Sequence, residues 1–222
     1  MTERALPENI ILVGGCIDAG TNQPTEENLD SKRISEGSYH LYRTAGSPSL
    51  DVGEFIRKFA DYLNSIDQFL NFAHTDCGGY IAAGDDSSRK HNQDLEALGT
   101  TLLKQKPTIR YSGHLIELEH NRPHTFAACA IILGKPEIIR ASNAELRSLG
   151  LEDVHDKIAR PFELSVDDGS IWSDLEISLN LHHPKKILIF DESEENARML
   201  MEKVREIADG VPVETRVISQ AA

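Results

Sequence analysis

The sequence predicts an α/β fold, with a parallel-sheet core and flanking helices. Three observations carry this. The apolar run Ile10-Ile-Leu-Val13 ends in Gly14-Gly15 and has the length of a strand buried on both faces. Short apolar segments then alternate with loops and helical patterns, the grammar of parallel strands joined by right-handed crossovers. Apolar residues make up 40% of the 222-residue chain, enough for a buried core of ordinary size.

The elements follow in order. Residues 39–43 are short, aromatic-rich and stopped by Ala45-Gly46-Ser47-Pro48, which marks a second strand entering a loop. Leu50, Val52, Phe55, Ile56, Phe59, Ala60 and Leu63 recur at helical spacing, predicting one helix over residues 50–66 with Ser49 as N-cap. Residues 68–73 read as a third strand, and Thr75-Asp-Cys-Gly-Gly79 opens another helical segment. Further strands are expected at residues 108–111, 125–133, 159–164, 186–190 and 213–218. Asp191-Glu-Ser-Glu-Glu195 is the acidic first turn of a helix that runs through Ala197, Leu200, Met201, Val204, Ile207 and Ala208 and stops at Gly210.

The separations are similar in the two halves of the chain. One reading is a degenerate internal repeat, 8–112 and 122–219, within one globular unit spanning 1–222; the other is a single doubly wound sheet. Laying Cys129 on Cys16 brings Glu192 and Glu195 close to the register of His74 and Cys77, so a repeat would carry a dead second site there. The polar, histidine-rich stretch 112–124 is the plausible seam.

Charge and length exclude several functions. Lys plus Arg number 23 against 36 Asp plus Glu, and the net charge of −13 repels nucleic-acid phosphates and anionic lipid surfaces alike. The longest apolar run, residues 126–133, has eight residues, whereas a membrane-spanning helix needs about 20. The start, Met1-Thr-Glu-Arg-Ala-Leu-Pro-Glu, has no signal or transit character, so a cytoplasmic location is expected. Three cysteines in a reducing compartment are buried thiols, metal ligands or a nucleophile rather than a disulfide framework.

Cys16-Ile-Asp18 closes the first strand and His74-Thr-Asp-Cys77 closes the third. In an open parallel sheet, the carboxyl ends of neighbouring strands converge on the ligand crevice, so Cys16, His74 and Cys77 form a zinc-type ligand set there. The helix start at Cys77 favours its thiolate. Taken singly, each residue also has a structural explanation: Cys16 as a small core hydrophobe, His74 as a hydrogen-bonded strand-end histidine, Cys77 as a helix-start residue. Cys129 lies in the most apolar run and reads as core. His114, Glu117, Glu119, His120 and His124 are candidates for a second metal, but Pro123 interrupts any helical face shared by the last two histidines, and a solvated loop or edge is the simpler reading. Gly14-Gly15 has neither dinucleotide nor phosphate-loop spacing.

The order Cys16-x-Asp18, Arg43-Thr-Ala-Gly46 and His74-Thr-Asp-Cys-Gly-Gly79 resembles the β-class carbonic anhydrases, whose signatures are C-x-D-S-R, R-N-A-G-N and H-x-x-C-G-G. The 58 positions from Cys16 to His74 are close to that family's separation, and the likeness covers residues 9 to about 83. The resemblance implies a β-carbonic-anhydrase-like fold, Zn2+ on Cys16, His74 and Cys77, reversible hydration of carbon dioxide to bicarbonate by zinc-bound hydroxide, and assembly as a homodimer or larger multiple. Asp18 would orient that hydroxide. Carbonyl sulfide and carbon disulfide are substrates of the same chemical type, and a zinc-binding protein of this fold without turnover is the alternative.

This chain departs from the family at the dyad. An arginine normally follows the aspartate by two positions and holds it off the metal; here Gly20 stands in that position and Ala19 in that of the serine. Without a guanidinium beside it, Asp18 has electrostatic reason to become the fourth zinc ligand and close the site. Lys32, Arg33 and Arg43 are the cations near enough in sequence to substitute.

Overall fold

The apolar run that ends in two glycines forms β1 (Ile10–Gly15), and among the described residues seven more strands join it: β2 (His40–Arg43), β3 (Ile66–His74), β4 (Arg110–Ile116), β5 (Ala128–Leu133), β6 (His155–Arg160), β7 (Ile187–Asp191) and β8 (Val213–Val217). The computed structural model describes residues 9–118, 126–152, 154–162 and 164–218. The strands make one sheet in the order β4-β3-β1-β2-β6-β5-β7-β8. Neighbours are parallel, except that β2 meets β6 antiparallel through Arg43 and Ala159. Outward from that junction the sheet order is β2-β1-β3-β4 on one side and β6-β5-β7-β8 on the other, the same arrangement twice.

Among the described residues, eight helices flank the sheet: α1 (Asn22–Ser31), α2 (Ser47–Leu50), α3 (Val52–Phe59), α4 (Gly78–Ala82), α5 (Ser88–Gln105), α6 (Pro136–Ser148), α7 (Gly169–His182) and α8 (Glu194–Ile207). Strand alternation sends neighbouring side chains to opposite faces. Leu12 therefore joins a cluster with Phe55, Phe59, Phe69, Leu98 and Leu102, while Val13 joins Leu70, Phe72, Ile131 and Ile189 on the larger one. Each such side chain contributes about 1.5–3 kcal/mol by leaving water. Gly14 is required by the first cluster, because a Cβ there would stand 2.7 Å from the Phe69 ring.

Several expectations need correction. The helix expected over 50–66 is broken into α2, α3 and a 3-10 turn, Leu63–Ser65. Pro48 starts the first piece early, and Asp51 caps the second by accepting from the Glu54 N–H at 2.8 Å. Ser49 is not an N-cap; its hydroxyl contacts those of Ser47 and Tyr80. The strand expected at 159–164 is β6, which starts earlier because His155, Asp156 and Lys157 are buried with polar partners rather than exposed. β4 takes in residues 112–116 of the supposed seam, with His114 stacked on Phe72 and paired with the Ser112 hydroxyl. Glu119, His120, Pro123 and His124 lie outside the described residues. The acidic turn at 191–195 opens α8 as expected, with Ser193 as its cap.

Candidate metal centre

β1 and β3 are parallel neighbours with Gly15 opposite Phe72, so the residues just past β1 and at the end of β3 emerge at one carboxyl edge. Cys16 comes from the first and His74 from the second, and Cys77 is the N-cap of α4. All three are buried, and one donor atom from each lies within 4.8 Å of the others. Among the described residues no other group of histidine, cysteine or carboxylate side chains meets that spacing. The two sulfurs are 3.8 Å apart.

His74 is oriented as a ligand. Its Nδ1 lies 2.7 Å from the Thr75 carbonyl, which fixes the proton there, while the buried Nε2 has no hydrogen-bond partner. His91 Nδ1 and His155 Nε2 are likewise buried without a partner, so it is the two sulfurs beside His74 that set it apart. The thiols divide their roles. The Cys77 S–H stabilises the Cys16 thiolate and, against burial and with help from His74, holds Cys16 well below the usual thiol range. Cys77, bonded to that sulfur and buried, is pushed well above it. Burial would lower His74, but the Cys16 charge raises it overall. A shared dication favours both thiolates and the neutral imidazole.

The loop carrying Cys77 is held from outside the signatures. Asp76 sits at φ 58°, and Asp86 accepts from its N–H at 2.7 Å and from the Cys77 N–H at 3.1 Å. His91 Nε2 reaches the same carboxylate at 2.8 Å. The two signature glycines meet back to back: a Cβ on Gly79 would stand 2.9 Å from the Gly46 Cα, and Gly46 itself has φ 80°.

The second half of the chain supports the Cys16 loop. Asp156 accepts from the Ala19 N–H at 3.3 Å, the Lys157 N–H donates to the Ile17 carbonyl at 2.8 Å, and Asn22 Nδ2 reaches the His155 carbonyl at 3.1 Å. Asp18 is buried here and is not among the side chains whose donor atoms cluster within 4.8 Å. Its Oδ1 accepts from the Gly20 N–H at 2.8 Å, and its Oδ2 faces His182 Nε2 at 3.9 Å. Arg43 donates to the Cys16 carbonyl at 2.9 Å and to the Thr21 hydroxyl at 2.5 Å, so it braces the loop. Lys32 and Arg33 are exposed at the end of α1.

His182 and Asp156 were not singled out by the sequence, nor were Asp86 and His91. The one signal for His182 is its helical spacing after Asp174 and Ser178, which the polar run His182-His183-Pro184 conceals. Cys129 is core, as its sequence context indicates, and burial pushes its thiol up. It pairs with Ile187 in mid-strand, and Glu192 is five residues further along, about 16 Å by strand rise. The two cannot share an ion. The position one residue past β5 belongs to Gly134, and Glu192 instead pairs with Lys135 at 2.5 Å.

A cavity of about 390 Å³ opens beside the centre, lined by Asp76, Gly78, Ile81, Ala82, Leu181 and His182. No described helix is long and apolar enough to cross a membrane. No family model matches the chain, and no curated protein matches it.

Proposed function

We propose that the protein binds one zinc ion through Cys16, His74 and Cys77 and catalyses the reversible hydration of carbon dioxide to bicarbonate, in the manner of the β-class carbonic anhydrases. The observation that supports the reading is the convergence of one imidazole nitrogen and two sulfurs, from Cys16, His74 and Cys77, within 4.8 Å of one another at a buried sheet edge. Zinc at such a site supplies an acidified water as nucleophile and a Lewis acid. The chain's own residues do the rest. Thr75 fixes the tautomer of His74, Asp86 holds the Cys77 loop, and Arg43 ties Cys16 to Thr21. On this reading Asp18, two residues from Cys16, accepts a proton and orients the attacking oxygen. The cavity walls of Ile81, Ala82 and Leu181 admit a small apolar electrophile with little cost of desolvation. We read the two halves as a fused pseudo-dimer in which the second has kept the fold and lost the ligands, and assembly of the whole chain into a homo-oligomer as part of the same proposal.

Stopped-flow hydration across pH tests this. The zinc-loaded protein should show a rate that rises as the nucleophilic water deprotonates, and Cys16→Ala should abolish it; a rate equal to buffer at every pH contradicts the reading. The apolar cavity also favours carbonyl sulfide or carbon disulfide as substrate, which release of hydrogen sulfide would reveal. Gly20 in place of an arginine favours the third reading, a zinc protein without turnover, and metal binding with no activity on any of the three gases would support it.

A further inference from the structure

α7 presents a polar face to the metal-site loops. Asp174, Ser178 and His182 stand at spacings of four residues, so they share one side of the helix, and all three are buried. Asp174 accepts from the Ala45 N–H at 2.9 Å and from the Thr44 hydroxyl at 3.2 Å, within the second signature. Ser178 donates to Asp156 Oδ2 at 2.6 Å, and His182 Nδ1 lies 2.6 Å from the same oxygen. That bond sets the ring so that Nε2 faces Asp18 Oδ2 at 3.9 Å, longer than a hydrogen bond and an ion pair when the imidazole is protonated. Burying these groups is costly compared with an apolar face that would pack the helix equally well. The dyad arginine's place in the chain is taken by Gly20, which has no side chain to engage Asp18.

We propose that His182, oriented by Asp156 and Ser178, is a positioning residue for Asp18: it engages the carboxylate and keeps it from joining the Cys16–His74–Cys77 donors. The inference rests on the metal reading above. It assigns to the second half of the chain the role of completing the site in the first. The oxygen facing His182 belongs to the carboxylate whose other oxygen is anchored on Gly20, so the side chain is held at both ends. Loss of the imidazole removes that contact, and the carboxylate, two residues from Cys16, then competes more readily for a coordination position at the ion.

The test uses the full chain reconstituted with cobalt(II), whose visible spectrum reports coordination, and azide as the probe of an open position. The parent protein should bind azide with a spectral change. His182→Leu should keep cobalt but weaken azide at least tenfold, and adding Asp18→Asn to it should restore azide binding. His182→Arg should retain it. Asp156→Asn, which removes the group that orients the ring, should weaken azide in the same direction and serves if His182→Leu does not fold. Azide affinity within twofold of the parent in both His182→Leu and Asp156→Asn overturns the proposal, as does a double variant that fails to recover. Failure of the parent to take up cobalt at all sinks the metal reading and this one with it, whereas cobalt uptake with azide binding indifferent to His182 sinks this one alone.

Discussion

Replacing Asp174 with alanine should destabilise the protein by an amount the junction geometry sets. Asp174 is buried where α7 crosses the β2–β6 boundary, and its oxygens take Arg160 Nη2 at 2.7 Å, the Ala45 N–H and the Thr44 hydroxyl. Burial pushes its carboxyl up, opposed by the Arg160 charge. Arg160 is buried too, donates to the Arg43 carbonyl at 2.5 Å and lies over the Tyr42 ring. Truncating one partner of a buried pair costs about 3–5 kcal/mol because the other charge is stranded. Asp168 Oδ2 remains 3.3 Å from Arg160 Nε, so the lower end applies. At roughly 2–4 °C per kcal/mol for a chain of this size, about 3 kcal/mol lowers Tm by roughly 6–12 °C. Differential scanning calorimetry measures this directly. Asp174→Leu combined with Arg160→Met should recover part of the loss, since an apolar pair of similar volume leaves no buried charge, although the Ala45 N–H and the Arg43 carbonyl each lose a partner. A Tm within about 2 °C of the parent in Asp174→Ala, or a double variant no better than the single, would refute the reasoning.

Three other outcomes follow from particular contacts. Burial holds His155 down to about 3, with its Nδ1 on the Leu151 carbonyl; the unfolded chain takes up the proton near 6.5, so stability present above that pH is lost as pH falls toward 3. Between pH 6.5 and pH 5.0 this group should therefore remove about 1.6 kcal/mol from the stability measured by urea unfolding, and His155→Gln should remove this part of the slope; identical slopes contradict it. Gly79→Ala drives a Cβ into the Gly46 backbone and should weaken metal retention at least tenfold, whereas Gly169→Ala, which meets nothing within 4 Å, should not; equal retention in the two would deny the back-to-back packing any role. Cys129→Ala should cost about 1 kcal/mol of stability and leave metal stoichiometry unchanged, unlike Cys16→Ala or Cys77→Ala, and metal loss in Cys129→Ala would put a ligand where the fold has core.

The parallel sheet was legible because β1, β5 and β7 are continuous apolar runs, the pattern of strands buried on both faces. β6 was misplaced for the converse reason: its first three residues are His155, Asp156 and Lys157, whose partners come from α7, α6 and the loop after α6, invisible to a local pattern. The helix after β2 was misread because spacing alone does not register Pro48 starting one turn and Asp51 capping the next. At the site, Cys16, His74 and Cys77 were legible because each follows or ends a strand at one sheet edge. His182 was not, because it reaches Asp18 from 164 positions away through the antiparallel junction, and no spacing within either half encodes that contact. Cys129 could be assigned to the core from its neighbours, but its register against Cys16 required the ladders themselves.

The account turns on one ion held by a single imidazole and two sulfurs. Elemental analysis of protein grown with ample zinc, read together with X-ray absorption at the zinc edge, addresses it most directly. One zinc per chain with two sulfur neighbours and at least one nitrogen is the result expected. Metal-free protein, or zinc surrounded by oxygen and nitrogen alone, would contradict it.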